Sequence, residues 1–202
     1  MRKAAAAAVA IVCWAGLAVQ FASSYSGIHD VGATLWVLAR FFTITTNLLV
    51  AIGMTGVAID REPSPALLGG LMLSLVLVGV VYAFLLQGLH HLTGPALVAD
   101  FLLHKLSPVL TALWWLLFAP RGRLGWRAPI EWSIYPLAYF IYVLGRGEMD
   151  HRYPYPFIDL GKLGWLQVAL NAGGIALAFM LAGFVLVWID SWRPLGPSGA
   201  KR

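Results

Sequence analysis

Two sets of polar side chains interrupt stretches that are otherwise apolar. Arg40, Thr43 and Asn47 are spaced i, i+3, i+7, while Asp100, His104, Ser107 and Thr111 are spaced i, i+4, i+7, i+11. On helices, each set shares one face. An ionisable group inside a membrane span costs at least ~2.5–3.5 kcal/mol on insertion scales, so each of these needs a partner. Arg40 and Asp100 are the evident charge pair. A threonine hydroxyl is a poor nucleophile until a neighbouring base takes its proton, and His104 is the base available near neutral pH. The chemistry to which these residues point is therefore acyl transfer, with Thr43 attacking and His104 holding the proton. Thr45 and Thr46 lie off the polar line but are alternative nucleophiles. Asp100, one turn from His104, either orients the imidazole or serves Arg40. Arg40 or Asn47 would stabilise an oxyanion or hold a carboxylate. The same residues also fit a purely structural role, since Ser and Thr within membranes commonly bond helix carbonyls.

These residues need elements to hold them, and the composition says which. Of 202 residues, 60% are hydrophobic and 11% charged, and the mean hydropathy is +0.78. That excludes an ordinary soluble domain. A bilayer core takes ~20 apolar helical residues to cross. The expected fold is all-α, a single transmembrane domain over residues 1–202 with six helices at about 4–22, 33–59, 65–89, 96–119, 130–144 and 163–189. The first resembles a signal peptide in its basic start, but its apolar run is longer than a signal core, and it is read as retained. Asp60-Arg61-Glu62-Pro63 stops the second segment, and His90-His91 with Thr93-Gly94-Pro95 closes the third.

Basic residues are distributed unequally between the two sides. Arg2, Lys3, Arg61, Arg121, Arg123, Arg127, Arg193, Lys201 and Arg202 fall on one, and only Arg146, Arg152 and Lys162 on the other. The positive-inside rule then puts both termini in the cytoplasm. Thr43 and His104 would each lie roughly 10–15 Å below the outer boundary at the rise of an α-helix. The net charge of +5 comes without a basic run interleaved with aromatics, so no nucleic-acid partner is expected.

Between the last two segments, Tyr153-Pro154-Tyr155-Pro156-Phe157-Ile158-Asp159 carries two ring-fixed backbone positions among aromatics. It reads as a rigid lid over the outer end of the polar faces, with Tyr153, Tyr155, Pro156 and Asp159 as its candidate contacts. His151 is the one nitrogen ligand near Glu148, Asp150 and Asp159, so no metal is expected there. Cys13, the single cysteine, excludes an internal disulfide or cysteine cluster. No Gly-x-Ser-x-Gly elbow, P-loop or His-Glu-x-x-His motif occurs, and no cofactor is implied.

Phe41-Phe42-Thr43 continuing as Ile-Thr-Thr-Asn-Leu-Leu, Leu103-His104 followed by Pro108, and Tyr155-Pro156-Phe157-Ile158-Asp159 occur in that order. In these motifs the chain resembles the androgen-induced and androgen-dependent membrane protein family, and more closely its bacterial six-helix relatives. The resemblance covers about Arg40 to Asn171. It implies a multi-pass protein of the cell membrane, here a bacterial inner membrane. Eukaryotic members hydrolyse fatty acid esters of hydroxy fatty acids with an intramembrane Thr and His. By resemblance, Thr43 would be the nucleophile and His104 the base, acting on a membrane lipid or lipid-like ester, with Thr45 and Thr46 still open as nucleophiles. Two other functions fit the same residues: a non-catalytic protein holding lipid or a small solute, and a proton-coupled transporter using Asp100 and His104. The absence of an evident inverted repeat weighs against the transporter.

Overall fold

In a computed structural model, described here for residues 1–61, 63–89 and 91–192, the chain is all-helical, without strands among the described residues. Glu62, His90, Arg193, Lys201 and Arg202, which entered the sequence reading, lie outside them. Helix α1 spans Arg2–Ile28, α2 Val31–Leu38, α3 Phe42–Ala58 and α4 Pro65–Val81, which continues as a π turn over Tyr82–Leu86. Then come α5 (Gly94–Phe101), a second π turn (Leu102–Leu106), α6 (Ser107–Phe118), α7 (Ala128–Asp150), a 3-10 turn (Pro156–Ile158) and α8 (Leu160–Ser191).

The helix starts follow from their capping residues. Asp30 Oδ1 accepts from the Ala33 N–H at 2.6 Å and starts α2. Ser64 accepts from the Leu67 N–H at 3.1 Å ahead of Pro65, whose fixed φ suits the first helical position. Asp159 accepts from the Lys162 N–H at 3.2 Å and starts α8. Asp159 is thus a helix cap rather than a lid contact.

Four helical segments are long and apolar enough to cross a membrane: Arg2–Ile28, Pro65–Leu86, Gly94–Phe118 and Leu160–Ser191. A fifth span is possible if the pair α2 and α3, bent by 98°, counts as one. This is the construction of a multi-pass membrane protein. The expected second helix over 33–59 is therefore broken, and Arg40 lies in the turn rather than on the Thr43–Asn47 face. Helix α7 is 23 residues long, well beyond the expected 130–144, but is not among the apolar spans. Its tyrosines, Pro136 and terminal charges lower its apolarity. Even so, Ile130, Ile134, Leu137 and Ile141 form an outward stripe at i, i+4, i+7, i+11, each more than half exposed.

Helix α1 packs on α3, α5 and α6, and α4 packs on α3, α6, α7 and α8. Close approach depends on small residues. A Cβ on Gly16 of α1 would come within 2.7 Å of Leu103. One on Gly70 of α4 would come within 2.5 Å of the Trp132 indole, which lies across Gly69 and Gly70 and donates to the Ala66 carbonyl at 2.8 Å. One end of the bundle gathers basic residues. There Lys3 pairs with Asp60 at 2.5 Å, and the Arg123 and Leu124 N–H groups donate to Asp190 of α8 at 2.9 and 3.0 Å.

Candidate functional site

The site begins at the break between α2 and α3. Phe41 is extended (φ −96°, ψ 126°), so α3 restarts at Phe42 and Thr43 stands in its first turn. Nothing local demands a break in Ala39-Arg40-Phe41, which holds neither Gly nor Pro; distant residues hold it. The Arg40 guanidinium grips both carboxylate oxygens of Asp150 at the end of α7, with Nη1 at 3.1 Å from Oδ1, and donates to the Arg152 carbonyl at 2.5 Å. The Arg40 carbonyl accepts from the Tyr139 hydroxyl at 2.6 Å. The Phe42 N–H, unpaired within its helix as first-turn donors are, donates to the Tyr155 hydroxyl at 3.0 Å. Nearby, the Arg146 guanidinium of α7 stacks on Trp36 of α2, 3.9 Å from the ring centroid.

Arg40 therefore pairs with Asp150, not with Asp100 as the sequence spacing implied. Its charge is used up in fastening the turn, and it does not line the polar cavity described below. Asp150 lies beyond the apolar stretch of α7, and its hydrogen bonds from Arg40 hold its carboxyl below the usual carboxylate range.

The opposite wall comes from the second π turn. Pro108 has no N–H to offer the carbonyl four residues back, and its ring crowds that position. The turn before it widens, and the Ser107 N–H bonds the Leu102 carbonyl instead of Leu103. The freed Leu103 carbonyl accepts from Asn47 Nδ2 at 3.2 Å and from Ser107 Oγ at 3.1 Å. Asn47 also donates to the Thr43 carbonyl at 2.9 Å and accepts from Ser107 at 2.7 Å, while Thr111 donates to the Ser107 carbonyl at 2.7 Å. Every polar atom of Asn47 is engaged, so it braces α3 against the π turn and has no donor left for an oxyanion. Ser107 is part of the same brace.

Above that brace, Thr43 Oγ1 lies 3.2 Å from His104 Nε2. The other ring nitrogen, Nδ1, lies 3.1 Å from Asp100 Oδ1. Tyr82, from the first π turn, donates to Asp100 Oδ2 at 2.6 Å and stacks on the imidazole, with centroids 4.4 Å apart. A carboxylate only accepts, so it favours the proton on Nδ1 and leaves the Nε2 lone pair toward Thr43. Thr45 and Thr46 point elsewhere: both hydroxyls lie 2.9 Å from the Tyr135 hydroxyl. Of the three threonines, Thr43 is the one whose hydroxyl meets His104.

Thr43, Tyr82, Asp100 and His104 line a cavity of about 250 Å³ together with Pro154, Tyr155 and Pro156. Of the loop residues expected to act as a lid, Tyr155 and Pro156 line this cavity. Tyr153 does not; it packs over Gly147 and donates to Glu148 at 2.8 Å. Tyr82 escaped the sequence reading because it lies inside an apolar segment with no polar periodicity to mark it. Among the described residues, no three His, Cys, Asp or Glu side chains gather to hold a metal ion.

Fold and site together define a multi-pass membrane protein with a hydroxyl–imidazole–carboxylate relay between two of its helical segments. Compared with known proteins, the chain matches no family model, no curated protein and no solved structure.

Proposed function

We propose that the chain is an intramembrane lipid-ester hydrolase in which Thr43 is the nucleophile, His104 the general base and Asp100 the group that orients the imidazole and stabilises the imidazolium that forms. The observation that carries this reading is the relay itself: hydroxyl to Nε2 at 3.2 Å and Nδ1 to carboxylate at 3.1 Å. This is the arrangement that activates a hydroxyl in acyl transfer, recognised by geometry and not by chain order. The motifs behind the resemblance to the androgen-induced and androgen-dependent membrane hydrolases supply Thr43, His104 and the Tyr155 loop, and these residues converge on one cavity. Membership in that family belongs to the same proposal. So does a six-crossing, N-in and C-in topology in a bacterial inner membrane, with α7 as the remaining crossing. The outward apolar stripe of α7 supports that count.

Thr43 Oγ1 attacks the ester carbonyl carbon while its proton passes to His104 Nε2. The carbonyl electrons move onto oxygen, and the phenol of Tyr155, beside the nucleophile on the cavity wall, is placed to donate to that oxygen. The imidazolium is stabilised by Asp100. As the C–O bond to the alcohol breaks, Nε2 returns the proton to the leaving oxygen, and an acyl ester on Thr43 remains. A water then repeats the sequence: His104 takes its proton, the acyl–Thr43 bond breaks, and the proton returns to Thr43 as the acid leaves.

The purified protein in detergent should hydrolyse lipid esters and be labelled by a fluorophosphonate probe. Thr43→Ala and His104→Ala should each lower turnover by roughly a hundredfold or more, whereas Thr45→Ala and Thr46→Ala should keep it. Full activity in Thr43→Ala would overturn the assignment. Co-purified lipid without turnover or labelling would instead identify a lipid-holding protein.

A further inference from the structure

A second cavity, of about 450 Å³, is lined by Thr43 but not by His104 and lies between α4, α7, α8 and the 3-10 turn. The two cavities share Thr43, Tyr155 and Leu86. The walls of the second are hydrocarbon and aromatic, with Val78, Phe140, Ile158 and Phe179 typical of them. Ser133 donates to the Pro129 carbonyl at 2.8 Å and Tyr139 to the Arg40 carbonyl at 2.6 Å, while the Tyr155 hydroxyl, shared with the first cavity, accepts from the Phe42 N–H at 3.0 Å. It is therefore an apolar chamber whose polar corner is formed by the Thr43 and Tyr155 hydroxyls.

We infer that this chamber holds the acyl chain of the ester, an unbranched hydrocarbon tail, while the alcohol portion occupies the smaller polar cavity. The inference rests on the proposed Thr43 and His104 roles. Its stereochemical basis is the fate of the proton. The leaving oxygen must receive it from His104 Nε2, so that oxygen lies on the His104 side of the attacked carbon. The acyl substituent then points away from His104, across Thr43, where the apolar chamber begins. Water for the second half-reaction likewise needs His104, and the cavity with Asp100 and Tyr82 is the one suited to it. Because lipid tails are as apolar as the chamber, transfer from bilayer to chamber carries little hydrophobic gain. Selection among acyl chains then comes from available space.

Two neighbouring glycines of α8 provide the test. Gly173 lines the chamber, and a Cβ there would meet nothing within 4 Å. Gly174, equally open, lines neither cavity. The experiment follows hydrolysis of p-nitrophenyl esters from butyrate to palmitate by the detergent-purified chain. Gly173→Phe, or Ala176→Leu if the first variant folds poorly, should lower palmitate turnover relative to butyrate by about tenfold or more. Gly174→Phe should leave the ratio at the wild-type value. An unchanged ratio in both chamber variants, or an equal fall for every chain length, would overturn the chamber assignment while leaving the Thr43 mechanism standing. If the wild-type chain shows no Thr43-dependent hydrolysis, the mechanism fails first. Displacement of a fluorescent fatty acid by palmitate then judges the chamber alone: weaker displacement in Gly173→Phe supports it, and equal displacement overturns it.

Discussion

Asp100 has two carboxylate oxygens, and in this site they serve different partners. Oδ1 faces His104 Nδ1 and sets the imidazole tautomer; Oδ2 accepts from Tyr82. Replacing Asp100 by Asn substitutes an amide able to donate toward Nδ1. That moves the ring proton to Nε2, where it faces Thr43 and blocks proton transfer. Asp100→Asn should therefore lower kcat by about a thousandfold or more with the fold intact, measured as ester turnover alongside size-exclusion behaviour. Tyr82→Phe is the finer probe. It keeps the ring stacked on His104 but removes the O–H donor from a carboxylate, a bond of roughly 1.5–3 kcal/mol. The expected result is a fall in kcat of about tenfold with KM little changed. Asp100 and His104 were legible as a pair because i, i+4 neighbours meet on any helix. Tyr82 was not, because a tyrosine near the end of an apolar run looks the same whether it anchors at an interface or packs on a histidine.

At the scale of elements, departures from regular helix make the site, and two of them carry Thr43 and His104. One has a local cause: Pro108 makes the preceding turn of the segment expected as one helix over 96–119 give way, and the widened turn carries His104. The other was hidden. Ala39-Arg40-Phe41 has no local breaker, and the break is held by Asp150, Arg152, Tyr139 and Tyr155, about a hundred residues away. Helical spacing therefore aligned Thr43 with Asn47 correctly and Arg40 incorrectly, since Arg40 belongs to a turn. The Arg40–Asp150 pair has a definite pH signature. A carboxyl whose folded value is depressed contributes stability that is present above its unfolded value and lost as pH falls through the folded one. The wild-type melting temperature should thus drop on acidification below about pH 4, the ordinary Asp value. Asp150→Asn should melt lower at neutral pH and lose that part of the acid dependence, in thermal scans across pH in detergent.

Taken whole, the molecule carries apolar residues outward and its polar groups inward. Arg40, Thr43, Asn47, Asp100 and Ser107 are buried, while Phe84, Leu117 and Leu166 are widely exposed. Composition made the membrane class legible, because a chain with few charges has no other solvent. It could not rank α7, whose Tyr135 and Tyr139 face the bundle and whose isoleucines face out. Packing of α7 against α4 runs through Trp132 on Gly69 and Gly70. Gly70→Val would drive a side chain into an indole already in contact, an overpacking cost of about 1–3 kcal/mol. A melting temperature lowered by several degrees in detergent is expected, and an unchanged one would mean that α4 and α7 separate easily. The Arg40 clasp carries a further implication for biosynthesis. Thr43 and His104 leave the ribosome well before Asp150 does. The turn presenting Thr43 therefore lacks its counter-ion until most of the chain has been made. A nascent protein inserting into the membrane would hold Thr43 and His104 unfastened, and the site would close only when the end of α7 arrives.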